Sequence, residues 1–278
     1  MRELLLTAEQ TDDGITALDF LKARGFSRRM ITALKRSGGL TRCGEILRSV
    51  DIVRAGDVIH VVQVDSGGVV PNSSIQVEIS YEDEDLVIYN KPPFLAVHPS
   101  VRHYDDTLAN AFAARFPDTP FRPINRLDRD TSGLCVCARN RFAAAGLACL
   151  KKVYFAVVNG ELCSGGTINL PIGRECESII KRCVSPNGKP AVTRFEPMES
   201  VNGRTLLKIR LETGRTHQIR VHMSHIGYPL CGDRLYGGDT SIDRQALHCG
   251  EVEFIHPVTG ERIQAFAPFP EDFCSLLS

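Results

Sequence analysis

The alternation of apolar and polar positions predicts a chain with more strands than helices. The segments IQVEISYEDEDLVIYNKPP, KKVYFAVVNG and TLLKIRLETG read as strands, whereas TLANAFAARF has a helical pattern. Helices do not alternate regularly with the strands, which argues against a doubly wound α/β fold. We therefore predict an α+β fold in which a sheet dominates.

The first part of the chain has a different pattern. ITALDFLKARG places apolar residues at helical spacing, and FSRRMITALKRSGG begins at a plausible cap, Ser27, and stops at Gly38. A turn-rich segment with a β-branched finish follows, and the Gly, Ser, Pro and Asn residues of DSGGVVPNSS are typical of a linker. We predict a small α+β domain at residues 1–64, a linker at 65–75 and a large domain at 76–278.

Charge is balanced over the chain but not within the small domain. The protein has 33 basic and 33 acidic residues, yet nine basic residues between Lys22 and Arg54 face only two acidic ones. A merely solvated face usually mixes both signs. Residues 13–64, with two helices, a Gly-rich turn, AGDVI and a closing strand, resemble the small RNA-binding domain first described in ribosomal protein S-four. This resemblance implies an RNA-binding face that includes Arg28, Arg29, Lys35, Arg36 and Arg42.

The ten cysteines do not predict disulfides or a zinc site. No pair has C-x-x-C spacing, and Cys135 and Cys137 would share one strand face as small buried apolar residues. No stretch approaches the roughly 20 apolar residues of a membrane span, and the leucine run near the N-terminus is too short for a signal peptide. We expect a cytoplasmic protein that is not membrane-bound, and we expect a monomer.

Candidate chemistry begins in the segment NRLDRDTSG. Asp128 lies between Arg126 and Arg129, and nearby positive charge favours an ionised carboxylate that could act as nucleophile or base. A loop held by a salt bridge is the structural alternative. Asp130, before Thr131, suits hydrogen bonds to nearby turn amides.

A second segment, LETGRTHQIRVHMSHIGYPLCGDRLYGG, is rich in arginine and histidine. The spacing of His217, His222 and His225 does not match the zinc pattern, and no carboxylate lies between Arg215 and Gly232, so we predict no metal site. A helix start after Gly214 would present Arg215, whose fork of donors suits a carboxylate or a phosphate.

On the strand KKVYFAVVNG, Tyr154 falls on the face opposite the fully apolar one. Such a tyrosine is more often a sheet-surface residue than a catalytic one.

Together these segments resemble the RluA-type pseudouridine synthases, which isomerise selected uridines in RNA. The resemblance runs in order from EDEDLVIYNKPPFLAVHPS through NRLDRDTSGL, KKVYFAVVNG, NGKPAVTRF and LETGRTHQIRVHMSHIGYPLCGDRLYG to ALHCGEVEFIHPVTGE. It implies a mixed, largely antiparallel central sheet, no cofactor, and an RNA partner, ribosomal RNA first and transfer RNA as an alternative. It also implies three catalytic residues: Asp128 as the essential aspartate, Tyr154 packed on the target uracil and implicated in removing its carbon 5 proton, and Arg215 paired with Asp128.

The resemblance further implies substrate contacts at Arg126, Asn125, His217 and Ile219. Two departures from the family pattern are Asn125, where many members have histidine, and a short segment between Leu134 and Tyr154, which suggests a trimmed helix. They leave open a non-catalytic RNA-binding or ribosome-assembly protein that retains the fold. A metal-dependent hydrolase using the histidines is a third, weaker interpretation.

Overall fold

A computed structural model of the protein describes residues 2–24, 26, 31–32, 34–35, 38–63, 69–100, 103–147, 149–175 and 180–278. The chain divides into two compact units, Met1–Gly68 and Val69–Ser278. This division falls within the predicted linker at residues 65–75, of which residues 65–68 lie outside the described ranges. Among the described helices, none is both long and apolar enough to cross a membrane.

The smaller unit is a four-stranded antiparallel sheet with helices. It contains β1 (Arg2–Thr7), a 3-10 turn (Gln10–Asp12), α1 (Ala17–Ala23), β2 (Leu40–Arg42), β3 (Glu45–Ile46) and β4 (Val58–Gln63), with strand order β1-β4-β2-β3. The α1 helix begins where the Thr16 side chain accepts a hydrogen bond from the Asp19 amide. Of the second predicted helix, residues 31–32 and 34–35 are described, and they are helical.

The larger unit has twelve strands and four helices in its described part. They are β5 (Glu78–Glu82), β6 (Leu86–Lys91), α2 (Leu108–Arg115), β7 (Arg122–Pro123), β8 (Ser132–Ala138), α3 (Arg141–Gly146), β9 (Lys151–Asn159), β10 (Gly166–Asn169), β11 (Ile172–Arg174), β12 (Arg182–Val184), β13 (Val192–Val201), β14 (Arg204–Leu211), α4 (Gln218–His225), β15 (Leu247–Ile255), β16 (Arg262–Phe266) and α5 (Glu271–Cys274).

Ten of these strands form one sheet. Its order is β10-β13-β14-β9-β15-β8-β6-β5, with β16 paired to β15 and β7 paired to β8. Among the described strands, the β8–β15 pair is parallel and every other pair in the sheet is antiparallel. The predicted α+β fold with a mixed, largely antiparallel sheet is confirmed.

Both faces of the central strands are buried. On β9, Tyr154 and Ala156 belong to the main core. On the other face, Phe155 and Val157 pack with Phe273, which lies in the last helix, α5. The structural alternative for Tyr154, an exposed residue on the sheet surface, does not apply, because only 7% of the residue is exposed. The residues of β8 are buried throughout, which includes Cys135 and Cys137 as predicted.

Gly133 is the residue at which β8 can approach β15. Its φ is +105°, and an added Cβ would lie 2.2 Å from the carbonyl oxygen of Cys249. This atom belongs to the parallel partner strand and cannot move without disrupting the sheet. Glycine is required here both for its backbone conformation and for the absence of a side chain.

We expect Gly133→Ala to lower the free energy of unfolding by at least about 2 kcal/mol, through backbone strain and overpacking together. Gly260→Ala is the matched control, because Gly260 has φ +74° but no atom within 4 Å of an added Cβ. That control should cost only about 1 kcal/mol. Denaturant unfolding of both variants measures the difference, and equal losses would mean that the contact with Cys249 is unimportant.

Candidate active site

A cleft forms where the loop at residues 124–131, strand β9, the end of β14 and the start of α4 meet. A pocket of about 60 Å³ and a wider groove of about 610 Å³ share its lining. The shared residues are Arg126, Leu127, Asp128, Tyr154, Leu211, Arg215 and His217. The fold thus brings together segments that are far apart in the sequence, including five of the predicted site residues.

The centre of the cleft is an ion-pair chain from Asp128 through Arg220 to Asp233. Arg220 Nε and Nη2 donate to the two carboxylate oxygens of Asp233 at 2.7 and 2.8 Å, and Nη1 donates to Asp128 Oδ2 at 3.1 Å. Burial by itself would lower the pKa of Arg220, but the bonds and charges of Asp233 and Asp128 outweigh it and raise that pKa. The guanidinium therefore stays charged beside Asp128.

The predicted pairing of Arg215 with Asp128 is wrong. Arg215 is half-buried, and its Nε donates to the carbonyl oxygen of Pro190 at 2.9 Å. The α4 helix begins at Gln218 and not directly after Gly214, so Arg215 lies in the turn before the helix. Arg220 lies in the first turn of α4 on its buried side, where its side chain can reach Asp128. Arg215 still lines the groove and remains available to substrate.

His217 lies near the same carboxylate oxygen of Asp128 as Arg220 does. Its backbone is left-handed, with φ +56°, and its Nε2 lies 3.7 Å from Asp128 Oδ2. Its Nδ1 lies 2.8 Å from the hydroxyl of Tyr236. Burial lowers the pKa of His217, although the charge of Asp128 acts in the opposite direction. The imidazole is consequently neutral at neutral pH.

Tyr154 forms part of the pocket wall from the middle of β9. Burial raises the pKa of its hydroxyl well above the ordinary value, and the nearby Cys249 and Asp128 act in the same direction. The side chain is thus a neutral phenol with a ring beside the carboxylate. It can present an apolar face to a planar base, and its hydroxyl does not ionise near neutral pH.

The remaining predicted substrate residues differ in their surroundings. Arg126 is exposed at the pocket, and Ile219 is buried in its lining. Asn125 is 6% exposed, its amide donates to the Leu134 carbonyl at 3.0 Å, and its Oδ1 accepts from the Val136 amide at 2.8 Å. Both polar groups of Asn125 therefore bond the backbone of β8 and anchor the loop; Asn125 also lines the groove, and its predicted substrate contact stays a prediction.

The side chain of Lys91 also holds the loop at residues 124–131. It is fully buried, and its Nζ donates to the carbonyl oxygens of Pro92, Leu95 and Arg129 at 2.8, 2.8 and 3.0 Å. Burial lowers the pKa of Lys91 to about 7. The Arg129 carbonyl follows Asp128 directly in the chain, so the third bond ties the backbone beside the carboxylate to the buried end of β6.

Asp130 does not cap the turn as expected. Its Oδ1 lies 3.5 Å from Arg129 Nη1, and the turn is closed by the Thr131 amide, which donates to the Asp128 carbonyl at 3.1 Å.

The histidines of α4 do not form a metal site in the described part of the chain. His222 is buried, with Nδ1 at 2.8 Å from Thr193 Oγ1 and Nε2 at 2.9 Å from the Leu170 carbonyl. A group elsewhere, Asp83, Asp85 and His256, brings possible ligand atoms within 4.8 Å of one another. However, His256 Nδ1 accepts from the backbone amides of Val258 and Thr259, and its Nε2 lies 3.0 Å from Asp83 Oδ2, so both ring nitrogens already have neighbours within the protein.

The predicted RNA-binding residues of the smaller unit are partly described. Arg42 Nη1 donates to Asp57 Oδ2 at 2.7 Å and to the Ile52 carbonyl at 2.8 Å, so its charge is already paired within the unit. Lys35 Nζ donates to Ser49 Oγ at 3.1 Å. Arg28, Arg29 and Arg36 lie outside the described residues.

Comparison with known proteins agrees with this geometry. The family profile for RNA pseudouridylate synthases matches residues 85–225. The chain is 38% identical to an uncharacterized RNA pseudouridine synthase of Bacillus subtilis, YjbO, over 95% of this chain and 98% of that protein. It is 43% identical to the ribosomal large subunit pseudouridine synthase D of Pseudomonas aeruginosa, over 73% of this chain and 72% of that protein.

A solved structure gives the same result at the level of the fold. Human RNA pseudouridylate synthase domain containing 1 superposes with a TM-score of 0.59 and 28% identity, over 72% of this chain and 86% of that one. The chain belongs to the RluA-type family of RNA pseudouridine synthases, and it is an enzyme that isomerises uridine in RNA.

Two residues of the ion-pair chain were missed by the sequence interpretation. Arg220 lies between the apolar residues Ile219 and Val221 in a helical segment, and Asp233 follows a glycine in CGDRLYGG. A charged residue among apolar neighbours signals a buried partner, because arginine is seldom fully buried unless it is paired. That signal could have directed attention from Arg215 to Arg220.

We expect Arg220→Lys to lower kcat by about 100-fold, because lysine cannot keep two bonds to Asp233 while a third reaches Asp128. Arg215→Lys is the comparison variant and should lose much less of kcat, because Arg215 lines the groove but does not bond Asp128. Tritium release from RNA labelled at uracil carbon 5, measured under single-turnover conditions, gives both rates. Thermal unfolding must show that Arg220→Lys is folded, and a larger loss of kcat in Arg215→Lys would contradict the assignment.

Proposed function

We propose that the protein converts specific uridines of large-subunit ribosomal RNA to pseudouridine, with Asp128 as the reacting carboxylate. The support for the RNA class is the similarity to enzymes named ribosomal large subunit pseudouridine synthase D, from Pseudomonas aeruginosa and other bacteria. Action on ribosomal RNA is consistent with a monomeric protein in the cytoplasm. Transfer RNA is the second candidate substrate.

The observation that carries the proposal is the placement of Asp128. The carboxylate lines a pocket whose wall is the Tyr154 ring, and its Oδ2 accepts from the buried Arg220. No described residue bonds its Oδ1. One oxygen is thus held while the other is free to react, which is the arrangement expected of an oriented nucleophile or base.

The reaction requires only groups of this kind. The bond from uracil nitrogen 1 to ribose carbon 1′ breaks, the base turns, carbon 1′ is joined to carbon 5, and the carbon 5 proton leaves while nitrogen 1 gains one. No electrons are transferred and no group donor is consumed. Asp128 could attack the ribose or the base, or remove a ribose proton, and a fixed anion serves each of these routes.

Tyr154 and Arg126 are proposed to hold the base. A uridine within folded RNA must leave its stack to reach the pocket, at a cost of a few kcal/mol. Stacking on the Tyr154 ring would return about 1–3 kcal/mol of that. The exposed guanidinium of Arg126 at the pocket could occupy the space that the base leaves.

Asp128→Asn is expected to abolish tritium release while RNA binding changes little, because the amide keeps the size of the side chain but not its charge. Binding is measured by filter retention of ribosomal RNA, and rates are measured with the same labelled RNA. Pseudouridine mapping in cells with the wild-type protein, without it, and with Asp128→Asn identifies the modified position. A wild-type protein that binds RNA but modifies none would support the non-catalytic alternative instead.

The smaller unit is proposed to bind RNA phosphates through the basic residues of its second predicted helix. We expect the combined change of Arg28, Arg29, Lys35 and Arg36 to Gln to raise KM with little change in kcat. The slope of log affinity against log salt should fall by up to about 3, because four phosphate contacts to a single strand are lost.

A matched variant removes the same charge from the larger unit. Lys151, Arg194, Arg210 and Arg262 are basic residues that each pair with a glutamate on the sheet. Changing these four to Gln should leave the salt slope nearly unaltered. Equal effects of the two variants would show that overall charge, and not the smaller unit, governs RNA binding.

A further inference from the structure

Tyr236 connects the reacting carboxylate to a neighbouring strand through His217. The backbone amide of Arg182, in β12, donates to the Tyr236 hydroxyl at 2.9 Å, and this hydroxyl lies 2.8 Å from His217 Nδ1. The other nitrogen of His217, Nε2, faces Asp128 Oδ2 at 3.7 Å. The Arg182 amide, the Tyr236 hydroxyl and the His217 ring thus form a chain of contacts that ends at the Asp128 carboxylate.

The hydrogen-bonding capacity of each group determines where the imidazole proton lies. The Tyr236 hydroxyl already accepts from the Arg182 amide, and its own proton requires an acceptor. His217 Nδ1 can be that acceptor only if it carries no proton. The neutral ring must then carry its proton on Nε2, toward Asp128.

The opposite tautomer is unfavourable at both ends. With the proton on Nδ1, the hydroxyl proton of Tyr236 would have no acceptor among the described residues. The bare lone pair of Nε2 would also face the negatively charged Oδ2 of Asp128. Both effects favour the same assignment, although they arise on opposite sides of the ring.

We propose that Tyr236 is a positioning residue that fixes His217 with its proton on Nε2, so that a second N–H donor besides Arg220 stands near Asp128 Oδ2. One donor is Arg220 Nη1, and the other is His217 Nε2. This inference rests on the proposed role of Asp128. The inference adds His217 Nε2 as a second oriented donor and names Tyr236 as the residue that orients it.

The distance of 3.7 Å between His217 Nε2 and Asp128 Oδ2 is long for a hydrogen bond. The two atoms must therefore move closer when substrate binds. Hydrogen bonds at active sites are often loose without substrate and shorten in the complex. His217 lines the pocket, so a substrate that fills the pocket contacts its side chain. RNA binding is expected to bring Nε2 and Oδ2 together.

The tautomer can be measured without any activity. Long-range ¹H–¹⁵N NMR spectra of the full-length protein with ¹⁵N-labelled histidine distinguish protonated from bare ring nitrogens, and His217→Gln identifies the His217 signals by their loss. We expect a bare Nδ1 and a protonated Nε2 in the wild type. Tyr236→Phe, which keeps the ring near Arg220 and His217 but lacks the hydroxyl, should give a mixture of tautomers.

Kinetics test the consequence for the reaction. Tyr236→Phe should lower kcat by about tenfold with little change in KM, as expected for loss of an orienting partner. His217→Gln places an amide N–H near the position of Nε2, whereas His217→Asn places it near Nδ1. The proposal predicts that Gln retains more of kcat than Asn does. Backbone preference predicts the reverse order of stability, because asparagine tolerates the left-handed conformation better.

A combined variant separates positioning from packing. In the His217→Gln background, Tyr236→Phe should cause little further loss of kcat, because the amide has no tautomer to fix. Three results would each overturn the proposal: a protonated Nδ1 in the wild type, a higher kcat for Asn than for Gln, or a full tenfold loss in the combined variant. A wild type without isomerase activity would refute the proposed function, while the NMR spectra would still decide the tautomer.

Discussion

The buried ion pair between Arg220 and Asp233 is the interaction on which the cleft depends. A guanidinium in the interior is stable only if its donors are bonded, and loss of one partner from such a pair costs about 3–5 kcal/mol. Asp233 takes two of the donors, and Asp128 takes a third. The Asp128 carboxylate is therefore held in place by the buried guanidinium of Arg220, whose charge the fold has to pair in any case.

The sheet supplies the second constraint. The loop that contains Asp128 leads directly into β8, where Gly133 permits close parallel pairing with β15. Asn125 bonds the backbone of β8, and the buried Lys91 bonds the Arg129 carbonyl. The loop is thus attached on both sides of Asp128 to the most deeply buried strands. Rigidity of this kind is what a site needs when it must hold a carboxylate in one orientation.

Pairing of opposite charges also describes the rest of the larger unit. In the cleft, the carboxylate of Asp128 is oriented by Arg220 and lies near His217, while Arg126 and Arg215 line the same pocket. Exposed cations on the central sheet are paired with glutamates. Under the proposed function, the smaller unit adds phosphate contacts to those available at the cleft, and the pocket holds the base and ribose.

Local patterns in the sequence were sufficient for several features. Period-two alternation and linker composition predicted the sheet-dominated fold, and the charge cluster around Asp128 identified a loop that does line the cleft. Local patterns could not tell which of two arginines in the segment GRTHQIR pairs with Asp128, because the two side chains are chemically equivalent. Arg215 and Arg220 both suit a carboxylate, and only the start of α4 at Gln218, after a left-handed His217, determines which of them is buried beside Asp128.

Tyr154 and Asn125 show the same limit. Alternation placed Tyr154 on a strand face, but the elements that cover that face come from distant parts of the chain and bury it. The polar groups of Asn125 suited substrate equally well, and β8 takes both. The sequence by itself determined the elements and the residue types available for chemistry. Which of those residues meet was decided only by tertiary structure, because burial and pairing depend on contacts between separate segments, such as Asp128 and Arg220, which are 92 residues apart.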